Sequence, residues 1–225
     1  RVEGPRLGYP SNFTIYDTAD QKRVMKQAID QLQFSTQNFS PSNVLATISN
    51  AKNELIDAEA YAAQAGDFYT RKVAELYKRY QEILHDNAAV DFDDLLLRFA
   101  QLLQRDAEAR TELQQRFEYV LIDEYQDTNH AQFVIAHVLA AGHQNLCVVG
   151  DPDQSIYGWR GANIRNILEF EQHYPQAQVV ALGQNYRSTP QILKAADTLI
   201  RNNRQRRHKP LFTENPDGDR IKVIQ

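Results

Sequence analysis

Residues Tyr119-Val-Leu-Ile-Asp-Glu-Tyr-Gln-Asp-Thr-Asn129 decide how this chain is read. An aromatic and β-branched run of strand length breaks into two adjacent carboxylates, the pattern of a buried parallel strand that delivers charge at its C-terminal edge. Open α/β sheets hold their ligands at that edge. Asp123 at the strand tip can hold Mg²⁺, directly or through water, and Glu124 can polarise a water for attack on a phosphate. The other reading is a strand end followed by a solvated acidic turn.

Working outward, strand 119–122, helix 130–141, strand 145–149, helix 163–171 and strand 178–182 alternate as βαβαβ, which predicts a parallel sheet with right-handed crossovers. The region upstream reads as helical. Asn12 to Tyr16 is predicted as a short strand, and Thr18 with Gln21 has capping-box spacing for a helix through Val24, Met25, Ile29 and Leu32. Ser40-Pro41 opens a helix over Val44 to Leu55, with proline at the first helical position. Asp57 to Ala65 is alanine-rich and predicted helical, Gly66 is a stop, and Asp67 restarts the chain. Val73, Leu76, Tyr77, Tyr80, Ile83 and Leu84 then recur at three and four, one buried helix face. Asp91 caps the next helix, and Asp93 and Asp94 in its first turn complement the helix dipole rather than bind metal. A helical segment from Arg110 to Phe117 ends this region.

Composition narrows the functional classes. The 225 residues suffice for one large or two smaller domains, and the formal charge of −4 places any nucleic-acid contact on local patches. The lone cysteine, Cys147, excludes an internal disulfide framework and a cysteine zinc cluster. A reducing cytoplasmic compartment is expected. No stretch reaches the ~20 apolar residues of a membrane span. Arg1 in place of methionine and an unclosed alternating segment, Asp219 to Ile224, lead to the expectation of an interior piece of a longer protein.

Two further stretches follow predicted strands. In Val148-Val-Gly-Asp-Pro-Asp-Gln-Ser-Ile-Tyr-Gly-Trp-Arg-Gly-Ala162, Gln154 has the donors and acceptors to bond a terminal phosphate and a neighbouring carboxylate together. Tyr157 and Trp159 beside Arg160 suit stacking on unpaired bases with a phosphate contact, against the alternative of core packing. In Leu182-Gly-Gln-Asn-Tyr-Arg-Ser188, Arg187 can stabilise charge on a transferring phosphoryl group and Tyr186 can stack on a base. Arg201, Arg204, Arg206, Arg207 and Lys209 form a basic cluster, read as a solvated helix end.

In this order at strand ends, the three stretches resemble superfamily 1 DNA helicases of the UvrD, Rep and PcrA type. The resemblance extends over the helical segment through Asn43-Val-Leu-Ala-Thr-Ile-Ser-Asn-Ala-Lys-Asn-Glu-Leu55 and Asp91-Phe-Asp-Asp-Leu95. It implies an α/β fold: a partial RecA-like parallel-sheet domain of the P-loop NTPase type with an inserted all-helical subdomain. Residues 1–16 would close the first N-terminal block, 17–115 would be the helical subdomain, 116–179 the returning half of the first RecA-like domain, and 180–225 the start of the second. The resemblance further implies ATP and Mg²⁺ as cofactors, with Asp123 organising the metal and Glu124 activating the hydrolytic water. Gln154 would sense the γ-phosphate, Tyr186 would stack on adenine and Arg187 would act as arginine finger. Tyr157, Trp159, Arg160 and Phe92 would meet single-stranded DNA, Phe92 having a helix-start core position as its alternative. The implied partners are single-stranded DNA, duplex junctions and repair proteins, in the cytoplasm at the nucleoid, with movement 3′ to 5′.

The chain departs from that family pattern in two respects: the later motifs that complete the second RecA-like domain, with another phosphate-contacting arginine, are absent, and so is the phosphate-binding loop. No Gly-x-x-x-x-Gly-Lys-Ser/Thr occurs in it, so the backbone cradle and lysine that hold nucleotide phosphates are missing. The isolated chain is therefore expected to bind ATP poorly and to lack ATPase activity. Two rival expectations are a non-catalytic module that binds single-stranded DNA or a repair partner, and a subunit of a helicase–nuclease complex.

Overall fold

Short polar side chains fix where the helices begin. The computed structural model describes residues 1–203 and 209–222, with the side chain of Arg160 outside that description. Asp17 accepts from the N–H groups of Ala19 and Asp20 and opens α1 (Thr18–Gln31), closing a capping box with Asp20. The cap thus sits one residue before the predicted Thr18, because the carboxylate accepts two amides at once. Ser40 caps α2 (Pro41–Asn53), Asp57 caps α3 (Ala58–Gln64), and Asp67 with Thr70 caps α4 (Phe68–Asp86). Asp91 with Asp94 caps α5 (Phe92–Arg105), and Asp106 caps α6 (Ala107–Arg116). The capping role predicted for the Asp91 and Asp94 carboxylates is therefore borne out.

Packing then selects which faces meet. Val24, Met25, Ala28 and Ile29 of α1, Val44 and Ile48 of α2, and the predicted face of α4 form one buried core. This unit is not wholly helical, in correction of the sequence reading. Thr14–Tyr16 (β1) pairs in parallel with Ala89–Asp91 (β2), Thr14 opposite Ala89 and Tyr16 opposite Asp91. Three residues between a helix end and an N-cap carry too little periodicity to announce a strand.

At the join of these elements lies a buried ion cluster. Lys52, at the end of α2 and fully buried, places Nζ 2.7 Å from Asp91 and 2.8 Å from Asp94. The Tyr80 hydroxyl donates to Asp91 at 3.0 Å and the Gln81 amide to Asp94 at 3.0 Å. Burial penalises all three charges. For Asp94 the attraction of Lys52 outweighs that penalty and lowers the pKa, whereas Asp91 stays above the ordinary carboxylate range.

The second unit centres on Val120–Ile122 (β3) and Leu146–Val148 (β4), parallel with Leu121 opposite Cys147 and joined through α7 (His130–Ala140). Asn129 caps α7 in a box with Gln132. The helix α5 packs along α7 and joins the two units. Three expectations need correction. The strands are not buried on both faces: Leu121 is 75% exposed and Cys147 is exposed, because α7 covers one face and nothing among the described residues covers the other. Residues 178–182 form no strand, since no neighbour among the described residues supplies their ladder bonds; the nearest pairing is a single parallel bridge between Gln184 and Phe212. The predicted helix 163–171 is two short pieces, Arg165–Leu168 (α8) and Phe170–His173 (α9), before α10 (Pro190–Ile200). Arg204, Arg206 and Arg207 of the basic cluster, and the end of the last predicted strand, lie outside the described residues.

Replacing Lys52 by Met is expected to destabilise the chain by about 3–5 kcal/mol at neutral pH, because two buried carboxylates lose their cation; urea unfolding followed by far-UV circular dichroism measures it. Burial lowers the Lys52 pKa, but Asp94 and Asp91 outweigh it and leave it above the ordinary 10.5. Burial, then the same carboxylates, holds Tyr77 and Tyr80 above the ordinary 10.0. All three keep protons when folded that the unfolded chain would release, so their contribution is complete below about pH 10 and is lost as pH rises through the raised values. A thermal midpoint that falls above that pH, and falls less steeply in Lys52→Met, is the expected result.

Candidate functional site

Beyond β3 the chain turns abruptly. Glu124 adopts a left-handed backbone, φ 51°, a conformation that costs a non-glycine residue about 1–2 kcal/mol. Asp123 accepts the Glu124 N–H on Oδ1 at 2.9 Å, and both carboxylates are exposed. Strain of this kind persists where surrounding bonds over-determine it, and here Gln126 supplies them. Gln126 is almost wholly buried; its amide nitrogen donates to Glu124 at 2.8 Å and to Asp127 at 3.2 Å. Its amide oxygen accepts the Asp151 N–H at 2.9 Å, so one side chain joins the end of β3 to the loop after β4. The strand ladder continues beneath it through the Tyr125 N–H donating to the Val149 carbonyl at 2.9 Å. Burial pushes the Tyr125 hydroxyl up to about 12, neutral at physiological pH.

Gly150 is required by close approach rather than by its own torsions. A Cβ there would lie 2.6 Å from Gln126 Oε1, 2.8 Å from Ile167 Cδ1 and 3.1 Å from the Tyr125 nitrogen. The loop that follows carries Gln154, exposed, whose amide donates to Asp151 at 2.8 Å. Burial raises Asp151, but its bonds to Lys209 and Gln154 outweigh that and hold the carboxylate below its usual range. Lys209 ion-pairs with Asp151 and so connects the segment after α10 to this loop.

The next turn presents the aromatic pair. Trp159 is 72% exposed, and its ring centroid lies 6.4 Å from that of Tyr157, also exposed. Core packing is thereby excluded for Trp159. Phe92, the first residue of α5, is 58% exposed, which likewise removes the core alternative. Tyr186 is 77% exposed and Arg187 is exposed; the Asn185 side chain accepts the N–H groups of Arg187 and Ser188 at 3.0 and 2.7 Å. That segment is tied to 209–212 by the Asn185 N–H donating to the Phe212 carbonyl at 2.7 Å.

The structure thus brings Asp123, Glu124 and the Gln154 loop together through Gln126, with Tyr157 and Trp159 on the same loop. Phe92 stands on a separate helix, and no ion pair among the described residues joins Arg187 to Asp123 or Glu124. Sequence reasoning missed Gln126, Lys52 and the pairing of Lys209. For Lys52 a signal existed: Val44, Ile48 and Lys52 recur at four, which puts the lysine on the buried face of α2.

Residues 1–175 match the family model described as the UvrD/REP helicase N-terminal domain. The chain belongs to the UvrD/REP helicase family. Among similar proteins, the ATP-dependent DNA helicase PcrA of Bacillus subtilis (strain 168) is 48% identical over 216 residues, 96% of this chain and 29% of its own length. The protein of the same name from Leuconostoc citreum is 48% identical over 221 residues, 98% of this chain and 30% of its own. That of Staphylococcus epidermidis is 47% identical over all 225 residues, 31% of its own length. The chain therefore spans about three-tenths of these UvrD/REP relatives. No helix among the described residues is long and apolar enough to cross a membrane.

Gly150→Ala is expected to cost about 1–3 kcal/mol, the range for overpacking a close-fitting site. The nearest obstacles include a backbone nitrogen and a doubly bonded glutamine, neither free to move aside. Urea denaturation measures the loss; a variant as stable as the parent would show that the two strand ends separate without cost.

Proposed function

We propose that this chain is part of an ATP-dependent DNA helicase that moves 3′ to 5′ along single-stranded DNA and unwinds duplexes in replication or repair. The observation that carries this reading is the gathering of Asp123, Glu124 and the Gln154 loop at the C-terminal ends of two parallel strands, with exposed Trp159 on the same loop. Family membership supports it. On this reading β3, α7 and β4 belong to a RecA-like domain of the P-loop NTPase type, spanning 116–179, which the second such domain follows from 180. Residues 1–16 end the first block of that domain, and 17–115 are its helical insert.

The donors fit Mg²⁺ and nucleotide. Asp123 and Glu124 are exposed acceptor-only oxygens, the ligand type a hard divalent cation takes. Among the described residues no cluster of three or more metal-ligating side chains occurs, so water and phosphate oxygens would complete the cation's shell. Bound ATP supplies the free energy of phosphoanhydride hydrolysis. Asp123 would hold the cation, while Glu124, fixed by Gln126, would accept a proton from the attacking water. Gln154 would bond the terminal phosphate, exchanging its present partner Asp151 for it. Arg187 would stabilise the transferring charge and Tyr186 would stack on adenine. Trp159, Tyr157 and Phe92 would offer stacking faces to successive bases, with Arg160 on the backbone phosphates. Single-stranded DNA, duplex junctions and repair proteins are the partners this reading names, at the nucleoid in the cytoplasm.

Two measurements test it. Labelled single-stranded DNA titrated with the chain is expected to bind in a salt-sensitive way, with Trp159→Ala weakening binding about fivefold or more, in line with the ~1–3 kcal/mol of one base stack. Binding indifferent to that substitution overturns the platform. The 225-residue chain itself is expected to hydrolyse no ATP above background, because its sequence has no phosphate-binding loop. Robust turnover would overturn the assignment of half the nucleotide site to missing residues.

A further inference from the structure

Three segments far apart in sequence converge on one buried side chain, Asn53, at the last residue of α2. Its Oδ1 accepts the Asn129 side-chain N–H at 2.7 Å, and both residues are buried. Asn129 closes the stretch that carries Asp123 and Glu124, and its side-chain oxygen caps α7 by accepting the Gln132 N–H at 2.8 Å. On the other side, Asn53 abuts the turn that bears Trp159. Gly161 sits there with φ 83°, and a Cβ on it would lie 3.4 Å from the Asn53 Cβ and 3.5 Å from its Nδ2. The two segments that meet Asn53 are also bonded to each other, one residue before Asn129 and two beyond Gly161. The Asn163 N–H donates to the Thr128 carbonyl at 2.9 Å, and the Asn166 amide donates to the Thr128 carbonyl and hydroxyl at 3.1 and 3.0 Å.

Asn53 is itself held from behind. Lys52, its neighbour in α2, is locked between Asp91 and Asp94, and Asp91 directly precedes the exposed Phe92. A side chain on a fixed helix end that bonds the α7 cap closing the carboxylate stretch and meets the Trp159 turn ties the two to one frame. We propose that Asn53 is a positioning residue that sets the Trp159 turn against the turn bearing Asp123 and Glu124, so that the base-stacking face and the carboxylates keep one relative geometry. The proposal rests on the reading of Trp159 as a base platform for its functional meaning, although the positioning itself can be measured without DNA.

Trp159 is the sole tryptophan, so its emission reports this turn alone. In the 225-residue chain, Asn53→Ala is expected to change the Trp159 emission maximum and its quenching by acrylamide. Helix content by far-UV circular dichroism stays at the parent level, and affinity for labelled oligothymidylate falls roughly five- to tenfold, the scale of one lost buried hydrogen bond. Asn53→Asp keeps an oxygen to accept from Asn129 and is expected to restore both emission and affinity toward the parent. Unchanged emission and quenching in Asn53→Ala, or equal damage in Asn53→Asp, overturns the proposal. Trp159→Ala run beside them separates the two readings: if it binds DNA like the parent, the platform fails while the emission response still decides the role of Asn53. Should Asn53→Ala not fold, amide exchange in the parent decides. The Asn163 amide is expected to exchange as slowly as those inside α7, and fast exchange there overturns the coupling of the two turns.

Discussion

A single buried ammonium holds the helical unit to the strand that feeds α5. Lys52 has no solvent to compensate its charge, so the two carboxylates around it are obligatory, and both come from the start of α5, some forty residues further along the chain. Their second duty is local: Asp91 accepts the Asp94 N–H and Asp94 accepts the Asp91 N–H, which starts α5 where it does. Charge balance and helix initiation are thus one constraint. It fixes the end of α2, the start of α5 and, through α5, the packing against α7.

From that fixed frame the strand ends acquire their geometry. Gln126 spends its donors on Glu124 and Asp127 and its acceptor on the Asp151 N–H, so a neutral amide spans two loops that end in carboxylates. A charged residue there would need a counter-ion, and a hydrophobic one would leave the Asp151 N–H short of its acceptor. Glu124 stays in a left-handed backbone because leaving it would break the Gln126 bond and the turn beneath. Lys209 adds an ionic contact from the far end of the chain to the same loop.

Much of this was legible in the sequence where the signal is local. The face of α4 could be read from spacing alone, since every one of its apolar positions at three and four is buried. Helix starts were visible because an N-cap is a contact between residues three apart. Strands were less so: Ala89–Asp91 forms only because Thr14–Tyr16 lies beside it, and 178–182, with equal intrinsic preference, has no described neighbour and stays single. The candidate site divides the same way. Asp123, Glu124, Gln154 and Trp159 were singled out as candidates from their place after apolar runs. Gln126 and Lys52 matter through partners tens of residues distant, so spacing could show Lys52 on a buried face but not the carboxylates it meets, and Lys209 was placed in a solvated cluster when its partner is Asp151.

The open side of the β3–β4 pair carries a consequence for handling the molecule. Leu121 in β3 and Val149 just past β4 are exposed, and among the described residues no further strand pairs with the two. Apolar area next to a free strand edge is the usual seed of edge-to-edge association. Cys147 lies in the same strand pair with its thiol accessible, so air oxidation can convert a transient encounter of two molecules into a covalent dimer. These short strands thus leave an accessible thiol beside exposed apolar area, which makes a reductant the appropriate condition for handling the chain.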